Sequence, residues 1–128
     1  MKLLLDTHIF IWWADEPERL SSAALAALAD GTNDLILSVV SIWELQLKIQ
    51  LGKLKLSQPL IELVKSQQET NGLQVLSLEL PHVLALDTLP PHHKDPFDRL
   101  LIAQSIVADL TLVTADDKLS AYPAKLLR

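Results

Sequence analysis

The sequence predicts an α/β fold with a mainly parallel central sheet, formed by residues 1–128 as one domain. Three observations carry this reading. Short apolar runs alternate with helix-length segments along the whole chain. The runs are hydrophobic almost without a break, as in strands buried on both faces. The composition is 49% hydrophobic with Gly 3, which excludes disorder and argues against a loop-rich or all-β fold.

The elements follow in order. Residues 2–5 form the first strand, which ends on Asp6-Thr7-His8. A helix begins at Ile9 and Pro17 stops it. Ser21 or Ser22 caps a second helix over 23–30, with Leu25 and Leu28 on one face and Gly31 at its end. Residues 35–38 are the second strand. Ser41-Ile42-Trp43-Glu44 has the Ser-x-x-Glu pattern of a capping box and opens a helix to about Leu51, closed by Gly52. Ser57 and Pro59 start the next helix, and Asn71-Gly72 end it. The third strand covers 73–78, and a short helix over 80–86 precedes the turn at Pro90-Pro91. Asp95 is then a natural N-cap, Pro96 suits a first turn that needs no N–H donor, and Asp98 falls at the third helical position. The helix they open is apolar nearly all round to Ala108, broken by Gln104 and Ser105, so it belongs at the centre. Strands at 110–114 and 124–127 complete the sheet.

Absence of cysteine excludes disulfide frameworks and thiolate metal sites, and fits a reducing cytosol. The apolar start, Met1 to Leu5, is cut short by Asp6, well below the ~7–15 residues of a signal core, and no stretch reaches membrane-span length. The expectation is a soluble, cytoplasmic protein. The formal net charge of −5 argues against a nucleic-acid binder taken alone. A carboxylate site that recruits divalent cations would itself make the balance acidic, so charge leaves that question open.

Four acids stand at strand-to-helix junctions: Asp6 after the first strand, Glu44 on the helix after the second, Asp98 at the head of the central helix and Asp116 after the fourth strand. Parallel strands point their carboxyl ends to one edge, where ligands bind. Each acid alone reads as a helix cap or as a dipole partner worth ~0.3–1 kcal/mol. As a set they would repel one another and raise their pKa values unless a cation held them together. Carboxylates without thiolates select hard cations, Mg²⁺ or Mn²⁺, suited to phosphoryl chemistry in which the cation activates water and stabilises developing charge.

The chain resembles the PIN-domain ribonucleases, and among them the VapC-like toxins of bacterial type II toxin–antitoxin pairs. The resemblance rests on Leu4-Leu5-Asp6-Thr7-His8, Ser38-Val39-Val40-Ser41-Ile42-Trp43-Glu44, His93-Lys94-Asp95-Pro96-Phe97-Asp98-Arg99 and Leu112-Val113-Thr114-Ala115-Asp116, in family order and spacing over essentially the whole chain. It implies a PIN-like three-layer fold, sheet order 3-2-1-4-5, with helices on both faces. It also implies a Mg²⁺- or Mn²⁺-dependent endoribonuclease acting as a toxin, with an RNA substrate, a cognate antitoxin and a homodimer. Family roles fall on Asp6 and Asp98 as principal metal ligands, with Glu44 and Asp116 completing the acidic pocket. Asp117 rivals Asp116 as fourth acid, and Thr114 would orient a ligand or its water. Asp95 reads as a cap, and Arg99 as a structural partner of a carboxylate. His8 either approaches the site or is a core histidine; His92, His93 and Lys94 either touch substrate phosphates or form a solvated face. Trp12, Trp13 and Trp43 read as core or dimer-contact residues rather than base-stacking platforms.

Other readings compete. A Mg²⁺-dependent phosphatase needs a second aspartate two residues after the first, where this chain has His8. A receiver domain needs a lysine after its last core strand, where the chain has Thr114-Ala115-Asp116. A PIN nuclease in RNA processing outside a toxin–antitoxin pair, or a non-catalytic interaction module whose acids are only caps, would share this sequence pattern.

Overall fold

A computed structural model describes residues 1–128. Its five strands are β1 (Lys2–Leu5), β2 (Asp34–Ser38), β3 (Gln74–Leu76), β4 (Thr111–Val113) and β5 (Lys125–Leu127). All neighbouring strands pair parallel, in the order β3-β2-β1-β4-β5. The chain builds outward from β1 to β3, then crosses back to β4 on the other side of β1. The strand order therefore reverses between β1 and β4, where open α/β sheets place their ligands.

Six helices cover the two faces: α1 (Thr7–Asp15), α2 (Ser22–Ala29), α3 (Val39–Gln50), α4 (Leu60–Asn71), α5 (Leu80–Leu84) and α6 (Pro96–Val107). The pleat divides the strand residues between two cores. Leu3, Leu5, Leu35 and Leu37 pack with Phe10 of α1, Leu28 of α2 and Leu63 of α4. Leu4, Ile36 and Leu112 face the other way, onto Leu101 and Ile102 of α6. Leu3, Leu4 and Leu5 are all fully buried, each such side chain contributing about 1.5–3 kcal/mol. This accounts for an unbroken leucine run in place of an alternating pattern.

Helix ends follow local chemistry. Ser21 Oγ accepts the Ala24 N–H at the head of α2. Gly72, at φ 67°, ends α4 in the left-handed conformation, and its N–H and that of Leu73 return to the carbonyls of Gln68 and Gln67. No helix is long and apolar enough to cross a membrane.

One expectation is corrected. The helix containing Glu44 does not open at Ser41: Ser38 is its N-cap, accepting the Val40 N–H, so β2 runs straight into α3 and Glu44 lies in the helix interior. The polar breaks in α6 lie inside, as its central place requires. Gln104 and Ser105 are buried while Ile106 and Val107 are exposed. Gln104 accepts from the Ser38 hydroxyl and donates to the Ser77 carbonyl at 3.3 Å, tying α6 to the end of β2. A buried amide with its hydrogen bonds made is compatible with a core, and its partners lie far away in sequence.

Candidate metal centre at the sheet edge

Leu5 and Val113 lie side by side at the ends of β1 and β4, so the next residues leave the sheet together. Thr114 Oγ1 donates to Asp6 Oδ2 at 2.7 Å and accepts the Asp116 N–H at 3.1 Å. Asp6 Oδ1 accepts the His8 N–H at 3.3 Å, so Asp6 also caps α1. Thr114 and Asp6 are both buried.

The head of α6 arrives at the same edge. Asp95 Oδ1 accepts the N–H groups of Phe97 and Asp98 at 2.8 and 3.3 Å, which leaves the Asp98 carboxylate free of capping. His93 Nε2 lies 3.1 Å from Asp98 Oδ2 and 3.3 Å from Asp116 Oδ2. The other ring nitrogen, Nδ1, accepts the Asp95 N–H at 3.1 Å. An accepting nitrogen carries no proton, so the neutral ring holds its hydrogen on Nε2 and directs it at the two carboxylates. Ligand atoms of His93, Asp98 and Asp116 all lie within 4.8 Å of one another.

Glu44 is held beside this group rather than within it. Ser41 Oγ lies 2.9 Å and Glu44 Oε1 2.8 Å from Thr7 Oγ1. A carboxylate only accepts, so Thr7 donates to Glu44 and takes its own hydrogen bond from Ser41. Lys48, one turn further along α3, donates to the other oxygen, Oε2, at 2.7 Å.

The charges are unevenly borne. Burial, then the negative charges of Asp6 and Asp95, pushes the Asp98 carboxyl up to about 7, against the opposing pull of His93. Burial also raises Asp6, outweighing the hydrogen bond from Thr114. Asp116 is more open: burial, the largest single influence, raises it, but the Lys118 N–H and His93 together prevail and hold it below the ordinary carboxylate range.

Arg99 buttresses the segment that carries His93. Its Nη1 donates to the Pro90 carbonyl at 3.1 Å and also reaches the His93 carbonyl, and Nη2 reaches the Leu86 carbonyl. Its partners are carbonyls and the Tyr122 hydroxyl rather than the carboxylate expected from sequence. Tyr122 Oη accepts the His93 N–H at 2.8 Å.

The structure thus brings Asp6, Asp98 and Asp116 to one edge, with Glu44 bound to the start of α1. Asp117 is 86% exposed and pairs with Arg128. His8 is exposed rather than a core histidine. His93 belongs among the acids, a place that its position in a polar loop did not reveal. Its spacing before the Asp95 cap was the available signal, because the backbone turn that forms the cap also supplies the N–H that orients the ring. Carboxylate oxygens without sulfur fit a hard divalent cation, with His93 orienting the acids rather than ligating, and the raised acids are what such a charge would relieve.

Residues 3–125 match the family model for the PIN domain. Ribonuclease VapC22 of Mycobacterium tuberculosis is 31% identical over 122 residues, covering 94% of this chain and 91% of that protein. Among solved structures, VapBC2 from Rickettsia felis, bound to a DNA fragment from its promoter, aligns with a TM-score of 0.76 at 18% identity, over 99% of this chain and 98% of the matched one. FitAcB from Neisseria gonorrhoeae aligns with a TM-score of 0.66 at 20% identity, over 98% and 96%. Both structures share the fold described above. With the family model spanning nearly every residue and a VapC relative at this identity, the chain belongs to the PIN-domain family and groups with its VapC-type members.

Proposed function

We propose that this chain is a divalent-cation-dependent endoribonuclease that hydrolyses RNA phosphodiester bonds as the toxin of a type II toxin–antitoxin pair. The observation that supports the reading best is Asp98: a half-buried carboxyl pushed up to about 7 by burial and by Asp6 and Asp95. No lysine or arginine pairs with Asp6, Asp98 or Asp116; the nearest such pair is Lys48 on Glu44.

Asp6, Asp98 and Asp116 would hold Mg²⁺ or Mn²⁺, with Glu44 completing the acidic wall. When bound, the cation would lower the pKa of an attacking water and stabilise negative charge developing on the phosphate. The chain's own residues do the positioning. Thr114 fixes Asp6 Oδ2, and His93 Nε2–H fixes Oδ2 of both Asp98 and Asp116; the His8 and Lys118 N–H groups hold the second oxygens of Asp6 and Asp116, and Asp98 Oδ1 is left to bind. Thr7 and Lys48 hold Glu44 oriented.

The name of the VapC22 relative supports RNA as substrate. The VapC-type grouping supports a cognate antitoxin and pairing with a second copy. Cleavage of bulk RNA should require Mg²⁺ or Mn²⁺, stop in EDTA and be poorly supported by the larger, more loosely coordinating Ca²⁺. Undiminished cleavage in EDTA with trace metal excluded, or by the Asp6→Asn variant, would sink the proposal.

A further inference from the structure

Three cavities meet at one side chain. Trp12 of α1 borders a cleft of about 310 Å³ shared with Asp6, His8, Ala115 and Asp116. It borders a second of about 310 Å³ that extends to Ser21, Thr114 and Arg128. A third, of about 300 Å³, joins it to His8, Arg19, Lys48 and Lys53. The first lies at the lower end of the range for small-ligand sites and opens directly on two of the acids. Trp12 packs part of its surface on the core, yet it leaves enough ring free to wall all three spaces.

Its surroundings are those of a nucleotide rather than of an apolar ligand. The Arg19 guanidinium lies 4.6 Å from the ring centroid and the His8 ring 5.9 Å away. Although the chain carries a net charge of −5, four cations line cavities that share this ring: Arg19, Lys48 and Arg128, paired with Glu16, Glu44 and Asp117, and Lys53, which has no carboxylate partner. An acidic centre repels the backbone of the nucleic acid it cuts, so binding must come from flanking cations and from base stacking, which is indifferent to charge. Both are present within two helical turns of Asp6. Single-stranded RNA offers unstacked bases to such rings and guanidinium planes, and a duplex does not.

We propose that Trp12 is the stacking platform of a nucleotide subsite, where a single-stranded RNA base beside the cleaved phosphate lies on the ring while Lys53 carries an adjoining phosphate. The subsite rests on the reading of the acids as an RNA-cleaving centre, and its test separates the two. Full-length protein carrying Asp98→Asn, which leaves RNA uncut, is titrated into fluorescein-labelled octauridylate and into the same oligomer with abasic residues, and anisotropy is followed. Trp12→Ala and Trp12→Leu should each weaken octauridylate binding about five-fold or more and leave the abasic oligomer within two-fold. Trp12→Phe should keep most of the affinity. Lys53→Ala should weaken both oligomers alike and flatten the salt dependence. Leucine keeps apolar bulk without a π-face, so it separates stacking from packing should alanine fail to fold.

Unchanged octauridylate binding in the leucine variant, or equal weakening of both oligomers, would overturn the subsite. So would a Trp12 variant that binds RNA normally but escapes its antitoxin, which would assign the cleft to protein. Base-dependent binding through Trp12 by a wild-type protein that cuts no RNA in Mn²⁺ would uphold the subsite and discard the nuclease reading.

Discussion

Thr114 donates its hydroxyl to Asp6 at 2.7 Å, joining residues 108 positions apart at the ends of two adjacent strands. Both side chains are buried, so the bond is made where water cannot replace it. The same hydroxyl accepts the Asp116 N–H, so one small side chain sets the attitude of two acids. Thr114→Val keeps shape and removes both bonds. It should cost about 1–3 kcal/mol in urea unfolding and weaken Mn²⁺ binding, while Thr114→Ser, which restores the hydroxyl, should recover most of both. Equal behaviour of valine and serine variants would show that the hydroxyl is not what orients Asp6.

Asp98 should trade stability for function. Its folded pKa of about 7 lies above the ~3.9 of an unfolded aspartate. Between those values the folded state keeps a proton that the unfolded state releases, so this group's contribution falls as pH rises, and its full penalty is reached above pH 7. Asp98→Asn carries no such penalty. In EDTA its melting temperature should exceed that of the wild type at pH 8, and the gap should shrink towards pH 5, while RNA cleavage is lost. A gap independent of pH would mean that the carboxyl is not strained by its neighbours.

Metal uptake should be coupled to protons for the same reason. A cation binds the ionised carboxylate, so below pH 7 Asp98 must release its proton first, and the raised Asp6 adds to the requirement. Mn²⁺ affinity should fall as pH drops through 7, steepening towards about tenfold per unit where one proton is displaced. Calorimetry in two buffers of different ionisation heat counts those protons. Release of none at pH 6.5 would place the binding elsewhere.

What was legible in the sequence were features fixed by near neighbours. The Asp95 cap and the entry of Pro96 into α6 depend on bonds within three residues, and both were read correctly. The sheet order required the family resemblance, because strand pairing is decided by crossovers that no local pattern records. Side chains with distant partners were not legible. Glu44 fits a capping box in sequence, but its partner is Thr7 on another helix. Gln104 breaks an apolar run, but Ser38 and Ser77 satisfy it inside the core. His93 lies in a polar loop, and Arg99, Tyr122 and the Asp95 N–H together turn its ring onto the acids.

The last prediction concerns restraint by the antitoxin. Val39, Trp43 and Leu47 recur every fourth residue on α3 and are all exposed, an apolar stripe that a partner helix or extended segment would cover. The stripe leads to the acids, for the Trp43 ring packs edge-on against Phe97 at 4.8 Å, and Phe97 directly precedes Asp98. A segment lying on the stripe would therefore end beside a raised, half-buried carboxyl and its acidic neighbours. An arginine there would pair with two oxygens at once and occupy the place of the cation. The expected antitoxin segment is thus apolar along Trp43 and Leu47 and carries an arginine or lysine that reaches Asp6, Glu44 or Asp98. Replacing that basic residue by alanine should restore much of the cleavage while the complex still forms, whereas Trp43→Ala in the toxin should weaken the complex itself by tenfold or more, as loss of a buried aromatic anchor does. Cleavage assays and binding titrations on the same pair of proteins separate the two effects. An antitoxin that inhibits equally well with no basic residue near the acids would refute this route of inhibition and leave the nuclease site untouched.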